Sequence, residues 1–291
     1  MPVLPVRDFD GFLSRKPAQL AEGPIAIILV EDDVEVLRTV RHHLDIGFRH
    51  ILLLSRLAID LPEEILPKVT QLGHETLRPN AHVAGVNGVI KAVPPGTWLY
   101  YGFNAEFLFY PFSESRTVGE LLTFHTEERR SAMLTYVVDL YAPDLTRAPN
   151  GVDPDNAMFD RTGYYALGRK GPGGQHRERQ LDFHGGLRWR YEEFLPADRR
   201  RIDRIALFRA ATDLKVTPDH RFSIEEYNTY ACPWHHNLTA AIASFRVAKA
   251  LATNPGSRER VRDMTWRNSH RFDWRAQQLM DLGLMEPGQW F

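Results

Sequence analysis

The chain has 291 residues, with 36 basic and 37 acidic side chains, a net charge of -1 and 43% hydrophobic content. That length supports a core of one or two domains, and the near balance of charge gives no electrostatic footprint for nucleic acid. A single cysteine, Cys232, excludes an internal disulfide framework and fits a reducing compartment. With no membrane-length apolar run and no apolar signal core in the opening MPVLPVRDFDGFLSRKP, the expected location is cytoplasmic.

Residues 25–30, IAIILV, are continuously apolar without alternation, the pattern of a strand buried on both faces of a parallel sheet. A helix should follow, with Asp32 or Asp33 as cap, Val34, Leu37, Val40 and Leu44 as its apolar face, and Gly47 as a left-handed stop. Residues 50–54 are the next buried strand. Pro62, Glu63 and Glu64 open a second short helix, and Gly73 precedes a third strand around residues 75–77. This strand-helix-strand-helix-strand order places ligands at the carboxyl ends of its strands, here residues 30–33 and 55–60. Asp32 and Asp33 are therefore candidates for a nucleobase or ribose contact, or plain helix caps. Asp60 is a candidate on the same ground, or a turn acid before Pro62.

Residues 81–91 read as helix, 98–110 as one interrupted strand or two, and 131–141 as strand. The spacing of Val118, Leu121, Leu122 and His125 predicts a helix over residues 118–128. Residues 142–156, rich in Pro, Asp and Asn, mark a loop or a boundary between two halves. GRKGPGG at 168–174 lacks the Gly-Lys-Ser/Thr ending of a phosphate cradle and reads as loop. Strands are expected at 180–184, 187–193 and 202–208. In the middle one, Arg188 and Arg190 share a face because they alternate with Trp189, either contacting an acceptor or phosphate beside His184 or standing in solvent. A helix is expected over residues 238–251. His235 and His236, adjacent on extended chain, point apart and suit one shared metal ion poorly. Residues 258–275 interleave arginines with Trp266, Phe272 and Trp274; they read as a terminal helix packing its tryptophans, the alternative being contact with a membrane surface or an acidic glycan. No Gly-x-Ser-x-Gly occurs, which argues against a serine hydrolase.

GTWLYYGFNAEFLFYPF, residues 96–112, resembles the metal-binding strand of nucleotide-sugar glycosyltransferases, in which Trp and apolar residues lead into Asp-x-Asp-Glu-Phe-Leu. Trp98, Glu106, Phe107 and Leu108 match, whereas Phe103 and Ala105 fill the two aspartate slots. VEDDVEVLRTVRHHLDIGFRHILLL is similar to the family's opening pattern, with Asp32 and Asp33 as the acidic pair and Leu37, His43 and Gly47 in place. MFDRTGYY at 158–165, HGGLRWR at 184–190, RIDRIALFRA, DHRF with His220, and WHHNLTAAIASFRVAK follow in the family's order. Together they resemble the family-2-like glycosyltransferases of the GT-A fold, in the bacterial group related to the family-92 enzymes, over about residues 24–251.

That resemblance implies an α/β fold with a Rossmann-like mixed sheet flanked by helices. Residues 1–142 would be its nucleotide-sugar half, 143–252 its acceptor half and 253–291 a helical basic and aromatic tail. It implies a nucleotide-sugar donor and a glycan or small-molecule acceptor. Glu106 and His184 would be catalytic; Asp32, Asp33, Ser55, Asp60 and Asn104 would lie at the nucleotide; Arg188, Arg190, His236 and Lys249 would lie at the acceptor or phosphate. Phe103 and Ala105 cannot ligate a cation, so no cofactor is expected, and Mn or Mg would need a site made by Glu106 with His236. Either an arginine or lysine replaces the ion, or the donor is not an ordinary nucleoside diphosphate sugar, or transfer is lost, leaving a noncatalytic nucleotide- or glycan-binding or scaffolding protein.

Overall fold

The computed structural model describes residues 6–229 and 237–290. It is a mixed α/β fold of two compact units, each assembled from separate stretches of chain. The first unit comprises Met1–Ala105, Ser115–Met133 and Ile205–Asn228, and the second Glu106–Glu114, Leu134–Arg204 and Thr229–Phe291.

In the first unit, β1 (Arg7–Asp8), β2 (Ile25–Leu29), β3 (His50–Ser55), β4 (Val69–Gly73) and β5 (Trp98–Phe103) run parallel in the order β1-β4-β3-β2-β5. The end of β11 (Asp203–Arg209) pairs antiparallel with β5. Helices α1 (Phe9–Ser14), α2 (Val36–Asp45), α3 (Ala81–Ala92) and α4 (Val118–Glu127) complete the unit. Every side chain of β2 is fully buried, each worth roughly 1.5–3 kcal/mol if large and aliphatic, which is why its sequence shows no polar alternation. Helix α4 opens on a capping box, Glu120 N donating to Thr117 Oγ1 at 3.3 Å and Thr117 N to Glu120 Oε2 at 2.7 Å, and it buries the four expected residues.

Helix α2 departs from expectation at its start and its face. Asp32 and Asp33 do not cap it; Glu35 stands at the cap with φ 54° and no capping side-chain hydrogen bond, and the buried face is Val36, Thr39, Val40 and His43. Burial lowers the His43 imidazole to about 3, so the ring is neutral, bonded through Nδ1 to Thr39 O at 2.8 Å and packed on Tyr100. Gly47, at φ 103°, ends the helix region as read from sequence. The third strand is β4, which Gly73 ends rather than precedes. Its polar middle disguises it: buried Gln71 accepts from Ile59 N at 2.8 Å and donates to Ile59 O at 2.6 Å, so an amide sits in the sheet with its hydrogen bonds satisfied.

In the second unit, β12 (Ala240–Ser244) lies parallel to β7 (Ala132–Tyr141) and antiparallel to β6 (Glu106–Phe109). Strand β8 (Met158–Asp160) pairs antiparallel with β7 and with β13 (Ser269–Arg271), while β9 (Tyr165–Lys170) and β10 (His176–His184) form a separate hairpin. Helices α5 (Gly186–Arg190), α6 (Arg246–Thr253) and α7 (Ala276–Asp281) complete it.

Four expectations fail in this unit. Residues 187–193 are not a strand: left-handed Gly186 starts α5, and a 3₁₀ turn follows over Glu192–Phe194. The helix expected over 238–251 is a strand followed by a helix, because AAIAS is buried between β6 and β7, where small residues suit a strand flanked on both sides. Gly168–Lys170 belong to β9, pinned by buried Arg169, whose guanidinium donates to Asp182 Oδ1, Gln180 Oε1 and Leu181 O at 2.6–2.9 Å. Residues 258–275 are turns and β13 rather than a helix, with Phe272 and Trp274 packed edge-on against Phe109 and Phe107. Among the described residues no helix is long and apolar enough to cross a membrane.

Candidate functional site

Parallel pairing brings the loops after β2, β3, β4 and β5 to one edge of the first unit. Leu29 is in register with Leu54 and Phe103, Val30 N donates to Leu54 O at 2.8 Å, and Thr76 Oγ1 donates to Val30 O at 2.5 Å. At this edge β5 ends in a tight turn at Asn104 and Ala105, the latter at φ 59°. Of the two aspartate slots of the resembled motif, Phe103 thus ends the strand and Ala105 lies in the turn, so alternation does not decide where Asn104 points.

Asn104 is fully buried and ties the turn to the first loop. Its Oδ1 accepts from Glu31 N at 2.9 Å, and its Nδ2 donates to Val34 O at 2.9 Å and to Asp32 Oδ1 at 2.6 Å. Ala105 N donates to Thr39 Oγ1 at 2.9 Å. Asp32 also accepts from Val34 N at 3.0 Å, so this carboxylate holds the loop's shape. Asp33, beside it, is exposed and makes no hydrogen bond or ion pair with a described residue. Ser55 is buried with its hydroxyl spent on Leu57, donating to the carbonyl at 2.7 Å and accepting from the amide at 3.1 Å; Asp60 is exposed. Asp32, Asp33, Ser55 and Asn104 therefore share one sheet edge, where Asp33 presents an open carboxylate, whereas Asp60 follows Ile59, whose backbone bonds Gln71 in the middle of β4.

Glu106 is buried in β6 of the second unit, accepting from Arg204 Nη2 at 2.5 Å and Ser244 Oγ at 3.1 Å. Its carboxylate is paired with Arg204 inside the core and has no solvent exposure. Lys249 is also buried, on α6. His236 lies outside the described residues, as does any site combining it with Glu106. Among the described residues no three His, Cys, Asp or Glu side chains are grouped to hold a metal ion.

The two second-unit motifs converge. MFDRTGYY supplies Asp160 and Tyr164, HGGLRWR supplies Gly185, Gly186, Arg188 and Arg190, and β7 supplies Asp139 and Tyr141. Asp139 Oδ2 accepts from Arg188 N at 3.3 Å and Oδ1 from Arg188 Nε at 3.4 Å. Asp160 accepts from Arg190 Nη1 at 2.9 and 3.2 Å, Tyr141 Oη at 2.6 Å and Trp266 Nε1 at 2.7 Å. Arg190 further donates to Met264 O at 2.7 Å and lies over the Trp266 ring at 4.9 Å. Burial pushes the Asp139 carboxyl up to about 6, Arg188 pulling it down and Asp160 pushing it further up. The Tyr164 hydroxyl is buried with no hydrogen bond to a described residue, and burial with the Asp160 and Asp139 charges holds it well above its ordinary value. The glycines are required: a Cβ on Gly185 would meet Tyr164 Cδ1 at 2.3 Å, and one on Gly186 would meet Asp139 Oδ2 at 3.1 Å.

Arg188 and Arg190 thus lie two residues apart on a helical turn, each holding a different buried carboxylate, instead of sharing the face of a strand. His184, at the end of β10, stacks on Tyr165 with ring centroids 5.2 Å apart and is partly exposed. Sequence reasoning missed Asp139 and Asp160 as the partners. A usable signal existed, since Asp139 is the one charged residue in the apolar run YVVDLY and a buried charge needs a countercharge. No protein-family model matches this sequence, and no curated protein matches it significantly.

Proposed function

We propose that the chain is a glycosyltransferase-like protein of the GT-A type, binding a nucleotide sugar on the carboxyl edge of β4, β3, β2 and β5 and transferring the sugar to a hydroxyl acceptor without a metal on the 103–106 segment. One observation carries the reading: in the segment that resembles Asp-x-Asp, buried Asn104 joins the β5 turn to Asp32 and the loop after β2 by three hydrogen bonds. A neutral amide thereby fixes, with no ion, the two loops between which a donor would lie, and leaves Asp33 open for a ribose or base. The resemblance in motif order supports the same assignment. Release of nucleoside diphosphate from a panel of nucleotide sugars, followed with and without EDTA, tests it; chelator-insensitive release is expected.

A second reading, binding without transfer, is favoured by the state of the basic groups. Diphosphate departure needs countercharge, yet Arg188 and Arg190 are each committed to a buried aspartate. Nucleotide binding without diphosphate release from any donor would select this noncatalytic reading.

A further inference from the structure

A groove of about 610 Å³ opens in the first unit at the amino end of β5, the sheet edge opposite Asp32 and Asn104. Three stretches wall it: residues 16–21 ahead of β2, residues 90–95 at the end of α3, and residues 210–215 after β11. Its accessible lining is largely apolar, since Pro17, Ala21, Pro94, Pro95 and Ala211 keep exposed surface above the buried Leu20, Val93 and Leu214. Backbone bonds fix the walls. Gly96 N donates to Ala210 O at 2.7 Å and Ala210 N to Thr97 O at 2.8 Å, while Asn87 grips both backbone groups of Val216 at 2.7 and 3.0 Å. The rim carries Lys16, Lys91 and Lys215 against a single lining acid, Asp213. All three lysines are exposed and make no ion pair with a described residue.

We propose that this groove is a second ligand site, taking an amphipathic anion with a carboxylate or phosphate head on an apolar small-molecule body. The volume falls within the range of small-molecule sites, and a pre-formed apolar floor with a few polar groups is their usual make-up. The apolar body lies on Pro17, Ala21, Pro94 and Pro95, and the head meets the lysines. Lysine offers a mobile point charge instead of a fixed fork, so the site selects for charge more than for head geometry and accepts either head. An uncharged molecule of equal length keeps only the floor.

Calorimetric titration of the full chain with decanoate, decyl phosphate and decanol, each below its aggregation concentration, tests this and separates the two heads. Decanoate and decyl phosphate should bind about tenfold or more tightly than decanol, and rising salt should narrow the difference. The combined Lys16→Glu, Lys91→Glu and Lys215→Glu variant, at exposed positions, should weaken decanoate by about tenfold or more. Ala211→Trp, at a half-buried lining position, should fill the groove and abolish decanoate binding with the far-ultraviolet spectrum unchanged, whereas Asp33→Asn at the other edge should leave it intact. Equal binding of decanol and decanoate, binding of none of the three, full decanoate affinity in the charge-reversed protein, or loss of decanoate in Asp33→Asn would overturn the proposal.

Discussion

Asp139 on β7 caps helix α5 from outside: its Oδ2 accepts from Arg188 N at 3.3 Å while its Oδ1 accepts from the Arg188 side chain at 3.4 Å. The helix has no cap of its own, because Gly185 stands at that position without a side chain. One buried carboxylate therefore satisfies an open helix amide and neutralises the arginine of the same residue. That coupling fixes the HGGLRWR segment to the sheet.

The capping aspartate makes stability depend on pH in a definite direction. Asp139 titrates at about 6 in the folded protein, above an unfolded carboxyl near ~4, so its contribution is full below the unfolded value and is lost as pH rises through about 6. The side-chain amide of the Asp139→Asn variant does not titrate. Urea unfolding between pH 4 and pH 7 should therefore show the variant gaining stability relative to the parent as pH rises; a constant difference across this window would contradict the buried, raised carboxyl.

Gly185 stands at φ 152° with Tyr164 Cδ1 2.3 Å from where a Cβ would lie. Gly185→Ala should cost roughly 2 kcal/mol or more, combining backbone strain with a displaced ring. Gly119→Ala, on α4 with nothing nearer than 3.7 Å, should be neutral or slightly stabilising. Thermal melts of the pair check the contrast.

Asn104→Ala should destabilise the first unit by roughly 2–3 kcal/mol, because it removes the three hydrogen bonds of a fully buried amide. Asn104→Asp should do no better despite restoring an acid, since the new carboxylate would face Asp32 Oδ1 across 2.6 Å and lose the two donors of the amide. Chemical denaturation of both variants measures this.

Legibility in the sequence tracked burial of continuous apolar chain. IAIILV and HILLL announced β2 and β3, and the Val118, Leu121, Leu122 and His125 spacing announced α4, because those segments bury what their patterns display. Segments whose polar residues are satisfied internally misled: Gln71 concealed β4, Arg169 concealed β9, and the left-handed Gly186 turned an alternating RWR into a helix. At the candidate site, Asp32, Asn104 and Ser55 could be placed at one edge from topology, yet their hydrogen bonds to the chain itself could not. Nor could the pairing of Arg188 and Arg190 with aspartates 49 and 30 residues away be read from local pattern.

Glu106 and Arg204 form a buried pair. Glu106→Leu alone should cost roughly 3–5 kcal/mol by removing one charge of a buried ion pair, while adding Arg204→Met should recover most of it. A double-mutant cycle by urea denaturation reads the coupling. Recovery with nucleotide binding unchanged would place Glu106 in the scaffold; full stability of the single variant would contradict the pairing.

The carboxyl-edge donor site is tested most directly by calorimetric titration of the protein with a panel of nucleoside diphosphates and their sugars, each with and without Mn. One nucleotide should bind with an affinity that Mn leaves unchanged; Asp33→Asn should weaken it by about tenfold or more, the loss of about one hydrogen bond to a ligand, and Asn104→Ala should do the same by releasing the loop that carries Asp33. Binding of no nucleotide, a strict requirement for Mn, or parental affinity in both variants would contradict a metal-independent site organised by Asn104.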